Sequence, residues 1–449
     1  MARDIGRIVI LGAGPCGLGA AWRLQELGYR DFAIHERDDR VGGLAASIRD
    51  DHGFTWDFGV HVLYSRSAYF NRVVESVLGG AWTEQRRNAQ VWMRGQFVPY
   101  PLQYNVHRLP ADIRRDCILG LVRAATKPND LSSFHAWIVS SFGDGIADHF
   151  MVPYNEKVWA APLQSMSVSW IAERVPRPDL ERVLANLLDG RDDDGWGPNA
   201  SFRYPREGGT GAIWRGVADR IGRDRLTLGR SAVRIDPRRR RVYFNDGSED
   251  RYDVLVSTVP LDQLVVMIGV EVVNGAAAAL RASTVHVVGI GIEGELPSHL
   301  ADRRWIYFPE RTVPFYRATV LSNFANTMAP PGHWSLLAEV SESPHRPIDR
   351  THLVDAVIAS LAREGFLSPD SRIVSRWHAT LAHGYPTPTR DRDGALAELL
   401  PALEAMSIFS RGRFGAWRYE ISNQDHSFLQ GSELIGRLIL GAEETTFAT

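Results

Sequence analysis

The sequence predicts an α/β protein: a Rossmann-like dinucleotide-binding domain, an inserted helical domain and an antiparallel β-sheet domain. Three observations predict it. A strand, a glycine turn, a helix and a second strand follow one another within residues 7–36. Helical periodicity then runs over residues 111–188. From residue 285 the pattern changes to strand-like alternation. The dinucleotide domain is assigned residues 1–78, 205–265 and 405–449, the helical domain 105–204, and the sheet domain 79–104 and 266–404.

Composition bounds the function. The chain has 449 residues, enough for more than one core. A net charge of −2 gives no overall field toward nucleic acid or an anionic membrane, so neither is expected as a partner. Two cysteines, Cys16 and Cys117, rule out a disulfide framework, and no zinc-ligand spacing occurs. No apolar run approaches the roughly 18 residues that a membrane span needs. The run from Ile8 to Leu11 is too short for a signal peptide. A cytoplasmic protein is expected.

The dinucleotide domain is justified first. Arg7-Ile8-Val9-Ile10-Leu11 leads into Gly12-Ala13-Gly14-Pro15-Cys16-Gly17. Gly12 permits the tight turn, Gly14 lets backbone approach a pyrophosphate, and Gly17 lets helix and strand pack closely. The helix start offers unpaired N–H groups to phosphate. Glu36 ends the second strand, where an acidic side chain meets ribose hydroxyls. Arg40-Val41-Gly42-Gly43-Leu44-Ala45 resembles the loop after the second strand in FAD enzymes of the amine-oxidase and glutathione-reductase superfamily, so FAD is the expected cofactor. A returning piece begins at Val233-Arg234-Ile235 and turns at Pro237 and the run Arg238 to Arg241. It turns again at Asn245-Asp246-Gly247 and ends in a buried strand near Val254. The arginine run reads as a solvated turn, not a nucleic-acid patch.

In the helical part, Pro110 precedes the first helix, and Pro153, Pro162, Pro176 and Pro178 interrupt the pattern into short helices. In the sheet part, Val288-Gly289-Ile290-Gly291-Ile292 and Trp334-Ser335-Leu336-Leu337-Ala338-Glu339-Val340 read as strands, with a helix over residues 351–364. Residues 412–441 read as a turn and a long helix.

The insertions carry runs more specific than a generic flavin oxidase requires. Among them are Phe58-Gly59-Val60-His61, Pro99-Tyr100-Pro101-Leu102-Gln103, Pro153-Tyr154-Asn155-Glu156-Lys157-Val158-Trp159 and Glu173-Arg174. Trp196-Gly197-Pro198-Asn199, Trp305-Ile306-Tyr307, Tyr316-Arg317, His383-Gly384-Tyr385, Arg413-Phe414-Gly415 and Tyr419-Glu420 follow, with Asn423-Gln424. This set, in this order, resembles the UDP-galactopyranose mutase family, its fungal and protozoan branch more than the bacterial one.

The resemblance implies a non-redox isomerisation that needs reduced FAD. Flavin N5 attacks the anomeric carbon, UDP leaves, the sugar opens and recloses at the other ring size, and UDP returns. It implies that Arg174 and Arg317 hold the diphosphate and that Tyr385, Tyr419 and Tyr307 donate to the same phosphates. Tyr100, Gln103 and Asn155 would contact uridine, with Trp159 against the sugar-nucleotide and Asn199 on a substrate-responsive loop. His61 would face the flavin ring. Gly43, Leu44, Val233, Arg413, Asn423 and Gln424 would complete the FAD site. Taken singly, each tyrosine reads as a packing residue, Trp159 as core and Arg174 as a surface ion-pair partner; only their joint order favours ligand roles. NADPH or NADH is the possible reductant, although Asn88 follows Arg87 where the fungal enzymes place a serine. Val60 stands at a family glycine, Phe324 at a tyrosine and Leu102 at an aromatic. The alternatives are a mutase for a different NDP-sugar and an FAD-dependent oxidase of the amine-oxidase type.

Overall fold

The computed structural model describes residues 3–171, 175, 177–194, 200–269 and 275–448. The first sheet is wholly parallel, in the order Ile408–Ser410, Val254–Ser257, Ile8–Leu11, Phe32–His35, Leu226–Thr227. Its two central strands are buried along their whole length, because helices cover both faces of a parallel sheet. The helix Pro15–Glu26 lies along Gln424–Leu440. Their backbones approach so closely that a Cβ on Gly431 would fall 2.0 Å from the Cys16 carbonyl oxygen. The C-terminal segment is thereby locked onto the helix that opens at the glycine turn.

The returning piece is a three-stranded antiparallel meander, Ala232–Asp236, Arg241–Phe244 and Glu249–Arg251. Gly247 takes φ 79° in its second turn. Arg239, Arg240 and Arg241 pair with Asp236, Asp253 and Glu249 at the surface, so the arginine run is a solvated turn.

The large sheet has seven strands, in the order Arg372–Thr387, Arg281–Glu293, His333–Glu342, Arg317–Val320, Trp305–Tyr307, Ala89–Met93, Gln96–Pro99. The expected antiparallel sheet is mixed, because Trp305–Tyr307 pairs with Ala89–Met93 in parallel. These two strands come from opposite sides of the helical insertion and share no hairpin. No tight turn therefore forces them to run antiparallel. The alternation in Arg281–Glu293 also differs in meaning from a half-exposed strand, since residues 285–292 are buried on both faces. Gly289 and Gly291 lie against Trp56 and Phe54, where a Cβ would come within 2.6 and 2.5 Å of the rings. Val288, Ile290 and Ile292 pack beneath the helix Leu353–Arg363.

The helical part holds Ala111–Ala125, Phe134–Ile146, Val152–Trp159 and Leu180–Asp189. Pro153 does not break the pattern as expected. A π-helical turn, Ala147–Met151, absorbs the lost N–H and the ring clash, and the helix continues to Trp159. One core joins this part to the large sheet through Phe150, Trp159, Val287 and Leu337. Among the described residues no helix is long and apolar enough to cross a membrane.

Candidate active site

A cavity of about 470 Å³ runs from the glycine turn to the joint between the parallel sheet and the large sheet. That size suits a cofactor site. Gly12, Gly14, Glu36, Gly43, Leu44, His61, Arg413 and Gln424 all line it. Gly12 holds φ +103° to make the turn. Gly17 lies behind the lining, and a Cβ there would strike the Gly12 carbonyl oxygen at 1.9 Å, so its role is close packing. Gly14 differs: a Cβ there would meet the Gly42–Gly43 backbone only in ordinary contact, no nearer than 3.8 Å, and Gly14 lines the cavity. Gly14 is also the N-cap of Pro15–Glu26 with no side-chain cap, which leaves the first N–H groups for an anion. Glu36 accepts from the Ala13 and Asp38 N–H groups at 2.6 and 2.9 Å, and burial raises its pKa. An open cradle at Gly14 beside an acidic strand end fits the pyrophosphate and ribose of FAD.

Two expected cofactor residues sit differently. The Val233 side chain is 52% exposed, and Arg230, Ser231 and Ala232 line the cavity there. Asn423 is exposed at the start of Gln424–Leu440, while its neighbours Ser422 and Gln424 line the cavity.

His61 is fixed by its backbone. Its carbonyl accepts from Thr210 Oγ1 at 2.9 Å, and Thr210 is anchored on Asp57. Asp57 is fully buried and also accepts from Ser47 Oγ at 2.5 Å and Tyr204 Oη at 2.6 Å. Burial, then the charges of Arg413 and Arg317, push the His61 imidazole down to about 3, so the ring is neutral. A hydrogen bond to the Leu44 backbone acts the other way without reversing the shift.

Beyond His61 lies an aromatic, cationic cluster. Arg317, at the start of its strand, gives Nε and Nη2 to Glu339 at 2.8 and 2.7 Å. Tyr316 Oη reaches the same carboxylate at 2.7 Å and stands 3.4 Å from Tyr385 Oη. The Tyr385 ring contacts Trp159 and Tyr419, and Arg413 lies over it. Arg413 is held by the Gly384 carbonyl at 3.0 Å and by Ser422 Oγ at 2.8 Å. Tyr307 links this group to Tyr154 and Tyr100, and Arg87 Nη2 lies 3.2 Å from Tyr307 Oη. Arg317, Tyr385, Tyr419, Trp159, Tyr307 and Tyr100 are thus one cluster. Two other expected ligands stand apart in kind. Gln103 is buried in the short turn Leu102–Tyr104, and Asn155 Nδ2 donates to the Met151 carbonyl of its own helix at 2.7 Å. Arg174 and Asn199 lie outside the described residues. Phe324 stacks with Phe202 and meets Tyr204 and Trp305 edge-on, fully buried.

Residues 15–407 match the family of flavin containing amine oxidoreductases. A crystal structure of reduced UDP-galactopyranose mutase aligns with a TM-score of 0.95 at 46% identity, covering 99% of this chain and 96% of that one. This chain belongs to the UDP-galactopyranose mutase family. A putative protoporphyrinogen oxidase from Exiguobacterium sp. 255-15 shares the fold at 17% identity and a TM-score of 0.74, covering 97% of this chain and 99% of its own. Putrescine oxidase with bound putrescine does so at 16% and 0.64, covering 96% and 98%.

The mutase family membership gives weight to three side chains that sequence reasoning passed over. Glu339 stands inside a strand buried on both faces. A carboxylate in such a run needs a cationic or hydroxyl partner, and that alone could have marked it. Tyr316 carries no comparable signal. Asp57 is bound by residues up to 153 positions away, which no local pattern reveals.

Proposed function

We propose that this chain is a flavin-dependent mutase that interconverts UDP-galactopyranose and UDP-galactofuranose with FAD in its reduced form. The observation that carries the reading is a cavity lined by the glycine turn, Glu36 and His61, with a cluster beyond it where Arg317, fixed by Glu339, stands among tyrosine hydroxyls. An amine substrate calls for an apolar or anionic cage; a guanidinium among phenol donors suits a diphosphate. Family membership at 46% identity supports the same substrate class.

When bound, reduced flavin supplies the nucleophile for the anomeric carbon. The chain's own residues do the rest. Arg317 takes the charge that grows on the leaving diphosphate, and Tyr385 and Tyr419 donate to its oxygens. Arg174 is proposed as the second cation. His61, neutral, meets the flavin ring without adding charge beside it. Trp159, with Trp170 and Tyr419 packed on it, would wall the sugar side from water. Tyr100, Gln103, Asn155 and Asn199 are proposed for the nucleotide side. NADPH or NADH is proposed as the electron source, in a cytoplasmic setting.

The test is conversion of UDP-galactofuranose, followed by chromatography with and without dithionite. UDP-galactopyranose formed only under reduction supports the reading. No conversion by FAD-loaded, reduced protein would move the assignment to another NDP-sugar.

A further inference from the structure

We infer that Glu339 is a positioning residue that aims both Arg317 and Tyr385 at the substrate diphosphate, the latter through Tyr316. The inference rests on the diphosphate reading above. Glu339 is 2% exposed and takes two parallel N–H bonds from Arg317, a fork that fixes the guanidinium plane. The two residues are also direct cross-strand partners, so backbone register places the fork. Tyr316 has one hydroxyl proton and two neighbours. The carboxylate is the nearer, at 2.7 Å against 3.4 Å, and takes that proton. The Tyr316 oxygen is then the acceptor facing Tyr385. The Tyr385 proton is held toward it until an anion arrives to claim it.

The same strand extends the device. Side chains two residues apart share a face. Ser341 Oγ donates to the Val158 carbonyl at 2.7 Å, and Ser343 Oγ donates to the Ala160 carbonyl. These bonds bracket Trp159. The strand His333–Glu342 and Ser343 just past its end thus reference the cation, the phenol and the tryptophan wall to one continuous backbone.

The experiment compares FAD-loaded, dithionite-reduced wild type with Glu339→Gln, Tyr316→Phe, their double variant and Arg317→Ala. Turnover is expressed per bound FAD, and UDP affinity is measured by calorimetry. Glu339→Gln offers an amide N–H₂ where two donors already point, so the fork is lost while the Arg317 charge stays. Its kcat is expected to fall at least about tenfold with UDP affinity within about fivefold of wild type. Tyr316→Phe is expected to lose a smaller factor, about threefold, and the double variant to be no worse than Glu339→Gln, because the phenol acts through the carboxylate. Multiplying losses in the double variant, or full kcat per FAD in both single variants, overturn the proposal. So does a loss confined to melting temperature and FAD content, which marks a merely structural carboxylate. Should Glu339→Gln fail to fold, Tyr316→Phe decides alone: full kcat overturns. Wild type that binds no UDP, or Arg317→Ala at full activity, would instead sink the diphosphate reading beneath it.

Discussion

Gly14→Val separates cofactor binding from folding more cleanly than any other substitution in the glycine turn. Gly14 has φ −77° and ψ −177°, extended backbone that any residue adopts. Its nearest protein neighbours to a new Cβ are Gly43 Cα at 3.8 Å and the Gly42 carbonyl oxygen at 4.0 Å, ordinary contact. The protein alone therefore accepts the side chain, and apo stability should move by no more than about 1 kcal/mol. Gly14 lines the cavity at the helix N-terminus, where backbone must approach the pyrophosphate. Valine methyls there displace the phosphates from the N–H groups, and FAD affinity should fall at least about 100-fold, or roughly 2.7 kcal/mol. Gly17→Ala is the contrast: its Cβ would lie 1.9 Å from the Gly12 carbonyl oxygen, so that variant should lose the fold itself. The assay is the flavin absorbance of purified protein, with urea denaturation of the apo forms. Gly14→Val that purifies fully yellow refutes the cradle, and Gly14→Val that unfolds as readily as Gly17→Ala refutes the claim that the space belongs to the ligand.

Three further predictions follow from the site. Arg317→Ala should keep FAD yet lose turnover by about 100-fold or more, since the guanidinium charge is removed from beside the diphosphate; wild-type turnover would show the phosphate role to be wrong. His61 titrates near 3 when folded, below its ordinary 6.5, so between those values the unfolded chain binds a proton that the folded chain does not. Its effect on stability is therefore flat above pH 6.5 and becomes a loss as pH falls from 6.5 toward 3. His61→Gln should flatten that part of the acid limb in urea melts taken between pH 7 and 5, and an unchanged slope would contradict the neutral ring. Asp57→Asn places an amide N–H₂ against the Ser47, Tyr204 and Thr210 donors, so unfolding free energy should drop by about 2–3 kcal/mol; a drop under about 0.5 kcal/mol would remove Asp57 as the anchor of the His61 loop.

What the sequence discloses depends on how local the physics is. The glycine turn is legible because two of its demands are local: Gly12 takes φ +103° to turn the chain, and a Cβ on Gly17 would strike the Gly12 carbonyl oxygen at 1.9 Å. The long strands and the C-terminal helix are legible because periodicity is local. Pro153 misleads because the π-turn Ala147–Met151 immediately before its helix can absorb it. The parallel pairing of Trp305–Tyr307 with Ala89–Met93 is invisible because it joins segments more than 200 positions apart. Val288-Gly289-Ile290-Gly291-Ile292 is the instructive case. It alternates as a half-exposed strand would, yet the glycines are there to admit Trp56 and Phe54 from the two-stranded pair Ser47–Arg49 and Thr55–Asp57.

That last contact bears on why one oxidase-like frame suits a reaction with no net electron transfer. The rings of Trp56 and Phe54 pack against Gly289 and Gly291 of the large sheet, where Arg317 at the start of one strand faces Tyr307 at the end of the next. Arg413 reaches across from the cofactor side to the Gly384 carbonyl beside Tyr385. Two guanidiniums therefore flank a neutral imidazole, and they are part of what keeps it neutral. Such a field raises the affinity of the site for a dianion and for electron-rich flavin at the same time, because both bring negative charge to one place. An amine substrate, protonated in water, would be repelled by it. The charges that select the substrate thus stand on the large sheet, at the start of Arg317–Val320, and opposite it at Arg413.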